Sequence, residues 1–325
     1  MIEGAARPPF SFPSGAQGFQ RLPDPPPARD RSARQRHLSP TMEAQLTISQ
    51  TIPLNDGHRI PRIGFGVWRL PEEDAPAVVG AAIAAGYRHI DTAQGYHNEA
   101  GVGRAVREAA IPREQLFVTS KQRTGQQGYD STFRSFEETM ERLGLDYLDL
   151  FLIHWPAPRH DRYAETWKAF VELRNQGRVR SIGVSNFLPE HIERIVGETG
   201  VAPAVNQIEL NPRYQQRSTR EYLAGKGIVT ESYSPLGGNG AGLLQDPVIS
   251  GIARRLDRTP AQIVIRWHLQ LDLVVLPKTA NPRRAAENLD VWDFELGPDD
   301  MAAIAALDSP DGKALPHPED MNNLF

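Results

Sequence analysis

Residues 148–156 read Leu-Asp-Leu-Phe-Leu-Ile-His-Trp-Pro. An apolar run broken only by Asp149 is what a strand covered on both faces requires, because parallel sheets lie beneath helices on each side. The run is far too short to span a bilayer, which takes about 20 residues. Working outward, comparable runs occur at 63–67, 88–91, 116–120, 179–184, 204–207, 229–233 and 273–276. With 148–154 they make eight, and each interval leaves room for a helix.

The intervals carry helix punctuation. Asp130 is expected to cap a helix that buries Phe133, Phe136, Met140 and Leu143 and leaves through Gly144. Thr259-Pro260 and Asn281-Pro282 each pair a cap with a proline at the first helical position. Ahead of the first strand, alternation over 45–53 and the turn Asn55-Asp56-Gly57 predict a β-hairpin. Eight strand–helix units predict an α/β chain folded as a (β/α)8 TIM barrel, its bottom closed by that N-terminal hairpin. An open doubly wound sheet is the rival.

Composition narrows the functions. The chain has 325 residues, a length that one barrel domain fills. It has no cysteine, which removes disulfides, Cys-ligated zinc and a thiol nucleophile together. A net charge of −4 gives no footprint for nucleic acid or an anionic membrane. Residues 1–41 differ from the rest, with eight prolines and six arginines against Glu3, Asp24 and Asp30. Such a segment buries too little to offset its ordering entropy, so a disordered extension is expected before a domain at 42–325. It lacks the apolar core of a secretory signal. A cytoplasmic monomer without metal is the expectation.

In a barrel, chemistry belongs to the C-terminal ends of the strands. Just past the apolar runs stand Trp68, Asp91, Lys121, His154, Ser185, Asn186, Gln207, Tyr233, Lys278 and Thr279. Singly, each has a bland reading: such a histidine is usually structural and such a lysine usually solvated. Together, Asp91, Lys121, His154 and the nearby Tyr96 suit carbonyl reduction, which needs a hydride donor and an acid for the developing alkoxide. An ammonium beside a phenol should lower its pKa toward the working range, and a buried ammonium needs a counter-ion.

Beyond that chemistry there is a resemblance. GYRHIDTAQGYHNEAGVG (86–103), DLFLIHWP (149–156), GVSNF (183–187), VNQIELNP (205–212), SYSPLG (232–237) and LPKTANPRRAAENLDVWDF (276–294) resemble the aldo-keto reductase family in order and spacing. The likeness runs from about Ile48 to Leu307, and in its short connections the chain resembles bacterial 2,5-diketo-D-gluconate reductase-like members. It implies an NADPH-dependent reductase with Asp91, Tyr96, Lys121 and His154 as the catalytic tetrad. Asp91 and Thr92 would lie by the nicotinamide ribose, Ser185, Asn186 and Gln207 would hold the carboxamide, and Tyr233 would stack on the ring. Ser234 and Leu236 would meet the pyrophosphate. Lys278, Thr279, Asn281 and Arg284 would meet the 2′-phosphate, and Glu287 and Asn288 the adenine.

Trp68, Tyr96, His97, His154 and Trp155 would line the substrate pocket. Many family members have Leu-Trp where this chain has Gln122-Arg123, which would trade an aromatic wall for a charge. The short stretch after His154 and the short tail after Leu307 imply an open pocket for small polar carbonyls such as keto sugars or dicarbonyls. Gly101-Val102-Gly103 lacks the third glycine of a dinucleotide fingerprint. Two other readings stay open: a cofactor-binding regulatory subunit, and a lyase or isomerase on the same barrel.

Overall fold

The eight apolar runs do become eight strands, and all are parallel. The computed structural model describes residues 50–238 and 242–325; the expected disordered extension, 1–41, lies outside the described residues. A hairpin comes first, β1 (Thr51–Pro53) pairing antiparallel with β2 (Arg59–Pro61). Then follow β3 (Phe65–Gly66), β4 (His89–Asp91), β5 (Phe117–Gln122), β6 (Leu148–Ile153), β7 (Val179–Ser185), β8 (Val205–Glu209), β9 (Val229–Tyr233) and β10 (Val274–Val275). Each pairs with its neighbour in chain order. A doubly wound sheet would reverse that order at a switch point. Here the two ends of the sheet meet instead: Ile63 bridges Val275, Gly64 N donates to Val275 O at 2.9 Å, and Val275 N to Arg62 O at 2.8 Å. The sheet is a closed barrel.

Side chains alternate between the barrel interior and the helix layer. Outward Phe151 of β6 stacks on Phe170 of the helix Tyr163–Asn175, with centroids 4.7 Å apart, and meets Phe136 of Tyr129–Leu143 edge-on at 5.2 Å. Inward Phe117, Leu150, Leu152, Val205 and Val274 form a separate apolar cluster with Leu54 and Ile60 of the hairpin. Asn55 Nδ2 fastens the hairpin turn to Pro203 O at 2.9 Å. The hairpin therefore plugs the end of the barrel away from the strand C-termini.

Helix caps fall mostly where expected. Thr259 Oγ1 accepts from Gln262 N at 3.4 Å, and Gln262 Oε1 accepts from Thr259 N at 2.9 Å. Asn281 Oδ1 accepts from Arg283 N at 2.9 Å. Asp130 is a correction: the helix begins at Tyr129, after Gly128 at φ 122°, so Asp130 sits in the first turn and caps nothing. Gly101 and Gly103 serve packing. A Cβ at Gly101 would fall 2.4 Å from Glu72 O, and one at Gly103 would fall 2.0 Å from Leu143 O.

The C-terminal segment adds a wall to the pocket that its shortness did not lead one to expect. Although short, it crosses the rim, tied down along its length. Glu209 accepts from Ala314 N at 2.7 Å and Leu315 N at 3.0 Å, Thr124 Oγ1 donates to Asn323 O at 2.6 Å, and Arg159 N donates to Asn322 Oδ1 at 2.9 Å. Phe325 ends edge-on to His154, with ring centroids 5.6 Å apart.

Candidate active site

The strand ends bring Asp91, Lys121, His154 and Tyr96 together. Asp91 closes β4, Lys121 is inward on β5, His154 follows β6, and Tyr96 ends the 3-10 turn Gln94–Tyr96. Lys121 is fully buried, and its Nζ donates to Asp91 Oδ1 at 2.6 Å, Thr92 O at 3.0 Å and Tyr96 Oη at 3.4 Å. Burial opposes the ammonium, but the negative charge of Asp91 leads a set of partners that hold its pKa above the ordinary value. The tyrosine departs from expectation. Burial raises the Tyr96 pKa, and the lowering by Lys121 does not offset it. The phenol is thus kept protonated, and the ammonium cheapens the phenolate only when the proton leaves.

His154 is held neutral, its pKa pushed well below the usual value by burial and by Lys121. Its Nδ1 is buried without a partner, and its ring meets that of Tyr96 at 5.7 Å. An unpaired lone pair is less costly to bury than an unpaired N–H, so the proton belongs on Nε2, on the cavity side.

Beneath these groups lies a polar layer that sequence reasoning missed. Glu231 on β9 is fully buried and accepts from Gln207 Nε2 at 2.8 Å, while the same nitrogen donates to Asp91 Oδ2 at 2.9 Å. His89 Nε2 lies 3.7 Å from Glu231 Oε1 and 3.0 Å from Thr119 Oγ1. Burial and the charge of Asp91 push the Glu231 carboxyl up to about 8, and burial takes His89 down to about 3. Period-two reading of β9 back from Tyr233 would have put Glu231 in the interior.

A cavity of about 520 Å³ opens above, within the usual range for ligand sites. Of the expected residues, Trp68, Asp91, Tyr96, His154, Trp155, Ser185, Asn186, Gln207, Tyr233, Ser234, Leu236 and Lys278 line it. Asn186 and Ser234 take left-handed conformations, φ 63° and 50°, where β7 and β9 turn onto the rim. Asn186 Nδ2 donates to His154 O at 3.0 Å, and Tyr233 Oη donates to Asn186 Oδ1 at 2.8 Å, which fixes the tyrosine ring.

Other expected residues stand apart from the cavity. His97 is the clearest correction: it leaves the 3-10 turn at φ 55°, which exposes its side chain outside the cavity. Thr92 turns its hydroxyl to Asn98 Oδ1 at 2.8 Å. Thr279 accepts from Asn281 N at 3.1 Å, and Arg284 is exposed in the first turn of the helix Pro282–Leu289, beyond the cavity lining. On the same helix Glu287 is half-buried, and Asn288 is buried beside Tyr87.

Gln122 alternates outward from Lys121 and bonds Gln126 O at 2.6 Å, so neither it nor Arg123 lines the cavity. Among the walls missed by sequence reasoning are Arg69, Leu315, Met321 and Phe325. Of these, Arg69 lies over the Trp68 ring, 4.2 Å from its centroid. No apolar periodicity marks the C-terminal three.

The aldo/keto reductase family model matches residues 62–309. An aldo-keto reductase of Mycolicibacterium smegmatis is 52% identical over 276 residues, 85% of this chain and 99% of that one. Methylglyoxal reductase DkgA of Escherichia coli is 46% identical over 269 residues, 82% and 96% of the two chains. Among solved structures, a mutant of Gox0644 in complex with NADPH is similar at a TM-score of 0.80 and 50% identity, covering 83% of this chain and 97% of that one.

Proposed function

The chain belongs to the aldo/keto reductase family and is an oxidoreductase, and from that premise we propose that it reduces small carbonyl compounds with NADPH, Tyr96 giving the proton. The observation that carries this reading is the ammonium of Lys121, held between Asp91 and Tyr96 beneath the cavity. A protonated, buried phenol with an adjacent cation is an acid whose conjugate base is already compensated. The neutral His154 donates from Nε2 to the substrate oxygen and so orients it toward Tyr96.

The residues fit NADPH. Gln207 spends both amide hydrogens on carboxylates, which leaves its oxygen as an acceptor on the cavity side. Tyr233 offers a fixed aromatic face. Lys278, Thr279 and Arg284 stand at a helix whose N-terminus is capped by Asn281 and favours an anion. When bound, NADPH supplies the hydride; Ser185 and Asn186 hold its carboxamide, and Glu287 and Asn288 face the adenine side.

The substrate class is a small carbonyl, a dicarbonyl such as methylglyoxal or a keto sugar, taken against Trp68 and Trp155. The walls added by Met321 and Phe325 favour the dicarbonyl and short aldehydes. The working unit is a cytoplasmic monomer built on a domain from Met42. No helix among the described residues is long and apolar enough to cross a membrane. The test is NADPH fluorescence on binding, followed by turnover of methylglyoxal and a keto-sugar panel. Tyr96→Phe should bind NADPH normally and lose at least ~100-fold in turnover. Turnover within a few-fold of wild type would remove Tyr96 from the mechanism.

A further inference from the structure

Gln207 has two amide hydrogens and two carboxylate neighbours. Nε2 donates to Asp91 Oδ2 at 2.9 Å and to Glu231 Oε2 at 2.8 Å. Asp91, ion-paired with Lys121, can only accept, so the nitrogen faces it and the amide oxygen turns to the cavity that Gln207 lines. Asp91 takes only one of the two amide hydrogens, through Oδ2, its Oδ1 being held by Lys121 at 2.6 Å; the second hydrogen depends on Glu231. Glu231 touches neither the cavity nor Lys121 Nζ directly, and its burial is complete. A wholly buried carboxyl is costly unless something is gained by it.

We propose that Glu231 is a positioning residue: together with Asp91 it locks the Gln207 amide so that Oε1 faces the cavity as an obligatory acceptor for an N–H of the cofactor's carboxamide. The inference rests on the NADPH reading above and adds to it the device that makes the site selective for an amide. The titratable and charged groups around Glu231 are His89 and Asp91 on β4, Lys121 on β5 and Tyr96 above them. Burial and Asp91 make the carboxyl titrate near 8. A proton on Oε1, which has no hydrogen-bond partner, leaves Oε2 free to accept from Gln207. The lock therefore holds on both sides of that titration.

The probe is the 3-acetylpyridine analogue of NADPH, whose methyl ketone keeps an acceptor but has no N–H. Dissociation constants for NADPH and the analogue are measured by tryptophan fluorescence quenching at pH 6.5 and 9. Wild type should prefer NADPH about five- to tenfold, the worth of one hydrogen bond, at both pH values. Glu231→Met removes the acceptor and should bring the ratio near one. Glu231→Gln has no charge but can still accept through its amide oxygen, and should restore the ratio.

Glu231→Met leaves one Gln207 N–H without an acceptor, and Glu231→Leu stands in should the methionine variant not fold. A wild type that binds no NADPH overturns the functional reading itself. A wild type that binds both cofactors equally, or a Glu231→Met variant that keeps the preference, overturns only the lock. Loss of the preference in Glu231→Gln as well would make charge the determinant and also overturn it.

Discussion

Lys121→Met separates the two tasks of the buried ammonium. Asp91, 3% exposed, would keep Gln207 as a partner but lose its counter-ion. Breaking a buried ion pair by removing one member costs about 3–5 kcal/mol. The effect on the reaction is separate. At the observed 3.4 Å between Nζ and Oη, the ammonium is worth about 4–5 kcal/mol to a phenolate at an effective dielectric of 20. Turnover should therefore fall by about 10³-fold or more.

Adding Asp91→Asn to Lys121→Met removes the stranded charge, and should recover most of the stability and none of the turnover. Urea unfolding gives the first quantity, and single-turnover kinetics with methylglyoxal the second. Turnover within about tenfold of wild type in Lys121→Met would refute the electrostatic argument. So would turnover that returned with stability in the double variant, because the lysine would then be a structural prop.

Other expectations follow from the same geometry. Arg284→Ala should weaken NADPH much more than NADH, by about tenfold or more for a charge-assisted contact, with added salt shrinking the difference; equal losses in fluorescence titration would take Arg284 away from the 2′-phosphate. Buried neutral histidines make the fold acid-sensitive. His89 titrates near 3, His268 near 4 and His154 well below its usual value, so below pH 6.5 the unfolded chain binds protons that the native state refuses. Glu231 opposes this, since its native carboxyl is protonated up to about 8. His191, also lowered by burial, adds to the loss, while Glu99, Asp149 and Glu209, raised by burial, offset part of it; stability should therefore fall as pH drops from 6 to 5, and a flat urea-denaturation profile there would contradict it. A chain starting at Met42 should keep its melting temperature and kinetics; a loss of several degrees would show that residues 1–41 dock.

The barrel was legible because strands buried on both faces must be largely apolar, as residues 148–153 are but for Asp149, and because eight such runs recur at helix-sized intervals. The gathering of Asp91, Lys121 and His154 at one end of the barrel was legible because each stands at or just past such a run, with Tyr96 a short turn beyond Asp91. Geometry decided what pattern could not. His97 adjoins Tyr96 in sequence yet points to solvent, because one left-handed residue redirects the chain. Gln122 looked like a pocket residue through its neighbour Lys121, but alternation sends it to the helix layer. The C-terminal wall was invisible because its segment is held by contacts to the side chains of Glu209 and Thr124 and to the backbone of Arg159, which leave no periodic trace. The pKa of Tyr96 was misjudged by weighing the cation without the burial.

The join between the first and last strands has a mechanical meaning. β3 and β10 are two residues each, and the circle is completed there by little more than the contacts of 62–64 with Val275. Gly66 on one side of that join and Leu276 and Lys278 on the other all border the cavity. A molecule resting there touches both lips of the thinnest seam in the wall, and acts as a rivet between the beginning and end of the barrel. Amide hydrogen exchange at Gly64 and Val275 should therefore slow more on NADPH binding than exchange deep in β6, making the seam a gauge of occupancy even where no reaction occurs.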